Sequence, residues 1–386
     1  MKKKSIYLDY ASTTPVDPRV LRVMLPYFTE KFGNTMSLHS YGQAANTALE
    51  EARAQIAKVI NAQPKEIIFT SCATESNNLA LKGLAFAHYE KKNEIIITPI
   101  EHDCVLESAR YLGEKGFKIR YIPVDKYGLV DLVQLKNLIT DKTLLVSVIH
   151  ANNEIGTLQD LAAIGKICRS KGVYFHTDAS QSFGREKIDV ATMQIDLLTA
   201  SSQKIYGPKG AACLYIRQGI ALKPLLHGGG HEQGLRSATI NLPSIIGFAA
   251  AAKLLNKIKH LENKKLTQLR DYLINNILTT IPQTYLNGHP HKRLANNVNI
   301  SFAGVEGESL MLELNFAGIA VSTGSACSSR NLEPSHVLLA LGLSPQRAHG
   351  SIRFSLGRFT TKKDLDYTIT VLQRAVKKIR SFSPLV

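Results

Sequence analysis

An α/β fold built on a mainly parallel central sheet is the architecture this 386-residue sequence predicts. Two observations carry that prediction. Between residues 66 and 217, short β-rich runs alternate with amphipathic stretches. The runs are EIIFT, EIIITPI, KIRYIPV, TLLVSVIH, VYFHTDA, DLLTASS and ACLYIR, with helical patterns such as TESNNLALKGLAFAHYE and LQDLAAIGKICRSKG between them. Strands separated by helical spacers build a parallel sheet covered on both faces. Several runs also end in polar residues: Thr70-Ser71, His150, His176-Thr177-Asp178 and Ser201-Ser202. Ligands of such sheets sit at the carboxyl ends of the strands, so these residues are expected to converge on one site.

The length exceeds what a single hydrophobic core usually serves, so two domains are expected. Residues 243–278 carry apolar side chains at three- and four-residue spacing, the pattern of a long helix. Beyond it, strands at NNVNISF and SIRFSLG mix with helices at 307–316 and 362–381, a smaller α+β unit that the first dozen residues are expected to join. The predicted division is a large domain at 13–258 and a small domain made of 1–12 and 259–386.

Composition narrows the function classes. Hydrophobic residues make up 44% and charged residues 20%, as in ordinary globular chains. No apolar run approaches the ~18–20 residues of a membrane span, and the basic start MKKK is followed by neither a long apolar stretch nor a small-residue cleavage site. Neither membrane association nor export is expected. The five cysteines, Cys72, Cys104, Cys168, Cys213 and Cys327, are scattered and form no Cys-x-x-Cys pair. They read as free thiols of a reducing cytoplasm, with no metal site. The formal charge of +16 is spread along the chain without interleaved aromatics, so a solvated basic surface is expected and direct nucleic-acid binding is not.

HTDASQS at 176–182 closes one apolar run with Asp178, and SSQKIYGPKG at 201–210 closes the next with Lys204. Alone, the first would be a helix cap and the second a surface lysine; together, at neighbouring strand ends, they supply two of the groups that pyridoxal 5'-phosphate (PLP) requires. A lysine forms the covalent Schiff base, and a carboxylate keeps the pyridine nitrogen protonated so that the ring withdraws electrons. SCATES at 71–76 follows a strand and opens a helix, where backbone N–H groups and the Thr74 hydroxyl face an anion such as the phosphate. An ordinary helix cap explains that segment equally well. His102, after EIIITPIE, offers a ring to stack on the pyridine and relay protons. GPKG at 207–210 turns the chain just after the lysine.

In order along the chain stand YLDYASTTPVDPRV, FTSCATESNN, EH at 101–102, NNEIGTLQD, HTDASQS, KIYGPKG, HGGGHEQGLRSAT, GSACSSRNLEPSHVL and SIRFSLGRFTT. This series resembles the NifS/IscS-type cysteine desulfurases over about residues 6–384. The resemblance implies a PLP-dependent transferase of fold type I, aminotransferase class V, acting as a homodimer. It implies PLP covalent on Lys204, Asp178 at the pyridine nitrogen, His102 stacked on the ring, and Ala73, Thr74, Ser201 and Gln203 at the phosphate. Asn153 and Gln181 match groups near the cofactor's phenolic oxygen and the substrate, and Thr239 matches a position that reaches the neighbouring subunit's phosphate. Arg353 corresponds to the partner of the substrate carboxylate, a bidentate task that suits a guanidinium, with Asn34 assisting. Cys327, in a Gly- and Ser-rich stretch that reads as an exposed loop, corresponds to the nucleophile that takes sulfur from L-cysteine, leaving L-alanine and a persulfide for acceptor proteins of iron-sulfur cluster assembly or tRNA thiolation.

The chain departs from the family pattern in places. Gln203 stands where the family has histidine; it can donate to a phosphate but cannot titrate. Cys72 stands where the family has glycine, FGNT replaces FGNP, and the chain ends shortly after SPL, where many relatives continue into a tail that contacts the scaffold protein. Two other readings are open to these residues: a PLP enzyme of other specificity, such as a selenocysteine lyase, and a degenerate non-catalytic paralogue acting as a binding subunit.

Overall fold

The computed structural model describes residues 5–323 and 334–382. Its twelve strands, in chain order, are β1 (Ile6–Tyr7), β2 (Ile67–Thr70), β3 (Glu94–Ile97), β4 (Lys118–Tyr121), β5 (Thr143–Ser147), β6 (Tyr174–Asp178), β7 (Leu197–Ser201), β8 (Ala212–Ile216), β9 (Thr284–Leu286), β10 (Asn297–Phe302), β11 (Ile319–Ala320) and β12 (Ser351–Ser355). The central sheet has seven strands in the order β2-β8-β7-β6-β5-β3-β4. All neighbours are parallel except β8, which runs antiparallel to β7 and to the edge strand β2. The sheet is mainly parallel, as the alternating runs predict.

Both faces of this sheet are buried, and the alternation of side chains along each strand decides which residue goes to which face. Ile67, Phe69, Ile96, Val146 and Leu198 join one core with the helices Ser40–Val59, Leu161–Ser170 and the first half of Leu242–Thr280. Ile68, Ile95, Ile97, Leu145 and Leu197 join the opposite core with Ala73–Asn78 and its continuation and with Asp103–Glu114. This two-sided burial is why the strands read as unbroken apolar runs.

The smaller unit has its own core around the antiparallel sheet β12-β10-β9 and the helices Gly307–Phe316 and Lys362–Phe382. Ile6 and Leu8 belong to it, because β1 pairs in parallel with β11. The helix Leu242–Thr280 runs through both units: Leu255 lies in a core of the larger unit and Leu266 in that of the smaller. The junction we propose at residues 258/259 falls in that interval.

A buried charge cluster joins the units beside this junction. Glu262 accepts from Arg358 Nε at 2.7 Å and Arg185 Nη1 at 3.4 Å, and Arg358 also donates to Asp17 Oδ2 at 2.6 Å. Arg185 Nη2 donates in turn to the main-chain oxygen of Lys204 at 3.0 Å. Removing one member of a buried ion pair strands the other in low dielectric. Glu262→Ala is therefore expected to lower stability by about 3–5 kcal/mol, measured as a fall in the midpoint of urea unfolding, whereas breaking an exposed ion pair such as Lys362–Asp366 should leave that midpoint nearly unmoved.

Candidate active site

The carboxyl ends of β6 and β7 open into a cavity of about 210 Å³. Asp178 is the last residue of β6 and Ser201 the last of β7, and Lys204 ends the short turn Ser202–Lys204 that follows. Gly207 allows the chain to double back there: a Cβ at that position would stand 2.1 Å from Ser202 Oγ. The start of the helix Ala73–Asn78 brings Ala73 and Thr74 to the wall, and the segment after β3 brings Glu101 and His102. Asn153, Glu154, Gln181 and Gln203 complete the large-unit side, while Arg353, on β12, enters from the small unit.

Asp178 is buried, and its carboxylate is held by two donors: Asn77 Nδ2 to Oδ2 at 2.7 Å and the Ser180 amide to Oδ1 at 2.8 Å. Lys204 Nζ donates to the carbonyls of Ala11 and Ser12 at 2.7 and 2.5 Å. Gln181 Nε2 donates to the same Ala11 carbonyl at 2.9 Å, and Gln203 Oε1 accepts from Thr13 Oγ1 at 3.2 Å. The buried Arg353 guanidinium donates to Asp9 Oδ1, Ser12 Oγ and the Asn153 carbonyl at 2.8, 2.8 and 3.2 Å. His102 caps the helix Asp103–Glu114, its Nδ1 accepting the Cys104 amide at 3.2 Å.

Two carboxyls of the wall are wholly buried. Desolvation pushes Glu101 up to about 8 and Glu154 up to about 7. Glu101 Oε1 accepts from Thr98 Oγ1 and the Ile149 amide, both at 2.7 Å, while Oε2 has no hydrogen-bond partner among the described residues. Glu154 Oε2 accepts from Ser335 Oγ at 2.5 Å. A carboxyl with one satisfied oxygen in a dry environment keeps its proton on the other.

Of the residues singled out in the sequence, Ala73, Thr74, His102, Asn153, Asp178, Gln181, Ser201, Gln203, Lys204 and Arg353 all line this one cavity. Asn34 does not: it is exposed, its Oδ1 accepts the Met36 amide at 2.9 Å, and it is not brought to Arg353 within one chain. Thr239 is likewise exposed and outside the cavity. Cys327 lies outside the described residues. The expectation that the polar strand ends converge holds for Asp178 and Ser201 but is corrected for the rest: Thr70, Ser71, Thr177 and Ser202 do not line the cavity, and neither do His150 and His176. His176 is buried against Ser147 Oγ at 2.8 Å, and His150 against Ser182 Oγ at 2.8 Å. Burial holds both down at about 4, so they are neutral core groups.

Sequence reasoning missed Asp9, Ser12, Asn77, Glu101, Cys104 and Glu154. Asp9 and Asn77 were within quoted motifs, but which side chain of a motif touches the site depends on folding. Glu101 and Glu154 also lay within quoted motifs, but an acidic residue in a sequence reads as solvated until its burial is known.

The chain matches the family model Aminotransferase class-V over residues 6–368. It is 50% identical to Cysteine desulfurase IscS of Rickettsia felis over 383 residues, 98% of this chain and 93% of that protein. Among solved structures it resembles a NifS-like protein at TM-score 0.92 and 38% identity, covering 97% of this chain and all of that one. It also resembles SspA in complex with cysteine at TM-score 0.83 and 36% identity, covering 92% of this chain and all of that one.

Glu101 generates a prediction with a definite sign. Its native proton is held to about 8 while the unfolded carboxyl releases it near 4.5. Stability from this group is thus complete below 4.5, falls by about 1.4 kcal/mol per pH unit as pH rises, and levels off above 8. Glu101→Gln keeps both acceptor bonds and cannot titrate, so the variant's thermal midpoint should gain on the wild type from pH 5 to pH 8 and then hold a constant difference. Parallel midpoints across that range would contradict the buried, protonated carboxyl. The match across the chain, the relatives and the cavity at the sheet's carboxyl edge together make the protein a member of the aminotransferase class-V family, on its cysteine desulfurase branch.

Proposed function

We propose that this protein removes sulfur from L-cysteine with the aid of PLP, giving L-alanine and a persulfide on Cys327. The observation that carries the reading is the convergence of Lys204, Asp178 and Arg353 on one cavity: a cofactor lysine, a ring-nitrogen carboxylate and a carboxylate receptor. The relatives named cysteine desulfurase and the structural relative bound to cysteine support the same substrate. The residues fit PLP chemically. Asp178 is buried, accepts two hydrogen bonds and sits in a cavity that also holds the unpartnered, buried Ser180 hydroxyl, and the helix at Ala73 starts without a side-chain cap, leaving its N-terminus to an anion.

PLP, when bound, supplies an electron sink for the bonds at the substrate's α-carbon. In this reading Lys204 would hold it covalently and its Nζ would afterwards move the α-proton; Asp178 would pair with the pyridine nitrogen, and Ala73, Thr74, Ser201 and Gln203 would hold the phosphate. Gln181 and Asn153 would orient the phenolic side and the substrate, and His102 would cover the ring. Arg353 takes the substrate carboxylate on its fork of donors, exchanging or sharing the Asp9 contact. The Cys327 thiolate attacks the substrate sulfur; the S–S bond forms as the C–S bond breaks, and the bonding pair left on the β-carbon takes up a proton to become the methyl group of alanine.

The exposed Thr239 is read as reaching a second copy's phosphate in a homodimer, and Asn34 as assisting Arg353 through that assembly. The persulfide is passed to sulfur-acceptor proteins in the cytoplasm. No helix among the described residues is long and apolar enough to cross a membrane.

Purified protein supplied with PLP and L-cysteine should release alanine and, with a thiol reductant, sulfide in equal amounts. Cys327→Ala and Lys204→Ala should each abolish this. Arg353→Ala should raise KM for L-cysteine about 10- to 100-fold, the worth of a charge-assisted hydrogen-bonded pair. Persistent sulfide release from Cys327→Ala would exclude the persulfide route.

A further inference from the structure

Cys104 stands at the meeting point of three groups of the cavity. It is the second residue of the helix that His102 caps. Its sulfur lies 3.1 Å from His102 Nδ1 and 3.1 Å from Asn77 Nδ2, and the same Asn77 nitrogen donates to Asp178 Oδ2 at 2.7 Å. Thr74 flanks the sulfur as a further hydrogen-bonding neighbour.

Donor and acceptor roles follow from the atoms. Asn77 Nδ2 offers only hydrogens, so the sulfur accepts there. His102 Nδ1 already accepts the Cys104 amide at 3.2 Å, so its lone pair points toward this residue, and the thiol hydrogen shares that lone pair as the second donor of a three-centre bond. We propose that Cys104 is a positioning residue: it holds the neutral His102 ring as the Nε2–H tautomer and couples that ring, through Asn77, to the Asp178 carboxylate. Its relevance to turnover rests on the PLP reading of the cavity, but the contacts belong to the chain itself.

Burial pushes the Cys104 thiol up to about 12, so the S–H donor persists at any working pH. A thiol kept protonated is a poor nucleophile, which separates this role from that of Cys327. The titratable and charged groups around His102 are Glu101, Asp103, Cys104 and Glu107 on its own segment and helix, Cys72 before the helix Ala73–Asn78 and Lys82 after it, Glu154 in the turn that follows β5, Asp178 at the end of β6, Lys204 beyond β7, and His336 and Arg353 from the later chain. Among the described hydrogen bonds, only Cys104 reaches Nδ1. Proton exchange by His102 is thereby directed to Nε2.

The test uses the full-length protein freed of PLP and labelled with nitrogen-15 histidine, the His102 signals being assigned with His102→Gln. The wild type should show the Nε2–H tautomer. Losing the thiol donor weakens the hold on Nδ1, so Cys104→Ala should show a larger share of the Nδ1–H tautomer at the same pH. Cys104→Ser, whose hydroxyl can donate to the same nitrogen, should restore the wild-type share. In the PLP-loaded enzyme, the pH profile of kcat/KM for L-cysteine should move in Cys104→Ala and return in Cys104→Ser. An unchanged tautomer share in Cys104→Ala, or a wild-type ring carrying its proton on Nδ1, would overturn the proposal; the second result needs no variant to fold. Because the tautomer measurement requires neither cofactor nor turnover, its failure is distinct from failure of the desulfurase reading, which alanine release decides.

Discussion

The site depends on a strap of six residues, 9–14, that lies between the two units and bonds to both. On the large-unit side, its Ala11 and Ser12 carbonyls accept from Lys204 Nζ, Ala11 also accepts from Gln181, and Thr14 bonds the main chain of Gln203 through its amide and hydroxyl. On the small-unit side, Asp9 and Ser12 hold the Arg353 guanidinium, and the Ala11 amide donates to Ser355 Oγ. Lys204 and Arg353 stand 149 residues apart in sequence (353 − 204), and this strap sets their relation. It is itself fixed by backbone pairing, since Ile6 and Leu8 bond along β11 and Asp9 bridges to Ser355.

Electrostatics around the cavity follow from the same enclosure. Charged groups are kept where partners exist: Asp178 on Asn77 and the Ser180 amide, Arg353 on Asp9. Glu101, and Glu154 despite the nearby Arg353, are driven toward the neutral form by desolvation. The wall therefore offers an anionic spot at Asp178, cationic spots at Lys204 and Arg353, and otherwise neutral hydrogen-bonding surface. That distribution matches a zwitterionic amino acid joined to a ring that must stay protonated at one nitrogen.

Much of this was legible in the sequence. Every β-rich run of the first half became a strand of the seven-stranded sheet, because burial on both faces leaves a strong apolar signature in all but the edge strand β4, whose Lys118 and Tyr121 are exposed. Asp178 and Lys204 were visible because they close such runs. The reversal of β8 was not, since an antiparallel strand inside a parallel sheet carries the same apolar pattern as its neighbours. His150 and His176 misled for a related reason: a polar residue near a strand end reads the same whether it faces a cavity or a core serine. The Cys104–Asn77–Asp178 chain joins residues from three separate segments, so no local pattern could mark it.

The central claim is that Lys204 is the cofactor's anchor, and covalent mapping tests it most directly. After reconstitution with PLP, borohydride reduction and proteolysis, mass spectrometry should find the phosphopyridoxyl adduct on the peptide bearing Lys204 and none in Lys204→Ala. An adduct on another lysine, or a wild-type protein that takes up no PLP, would contradict the account.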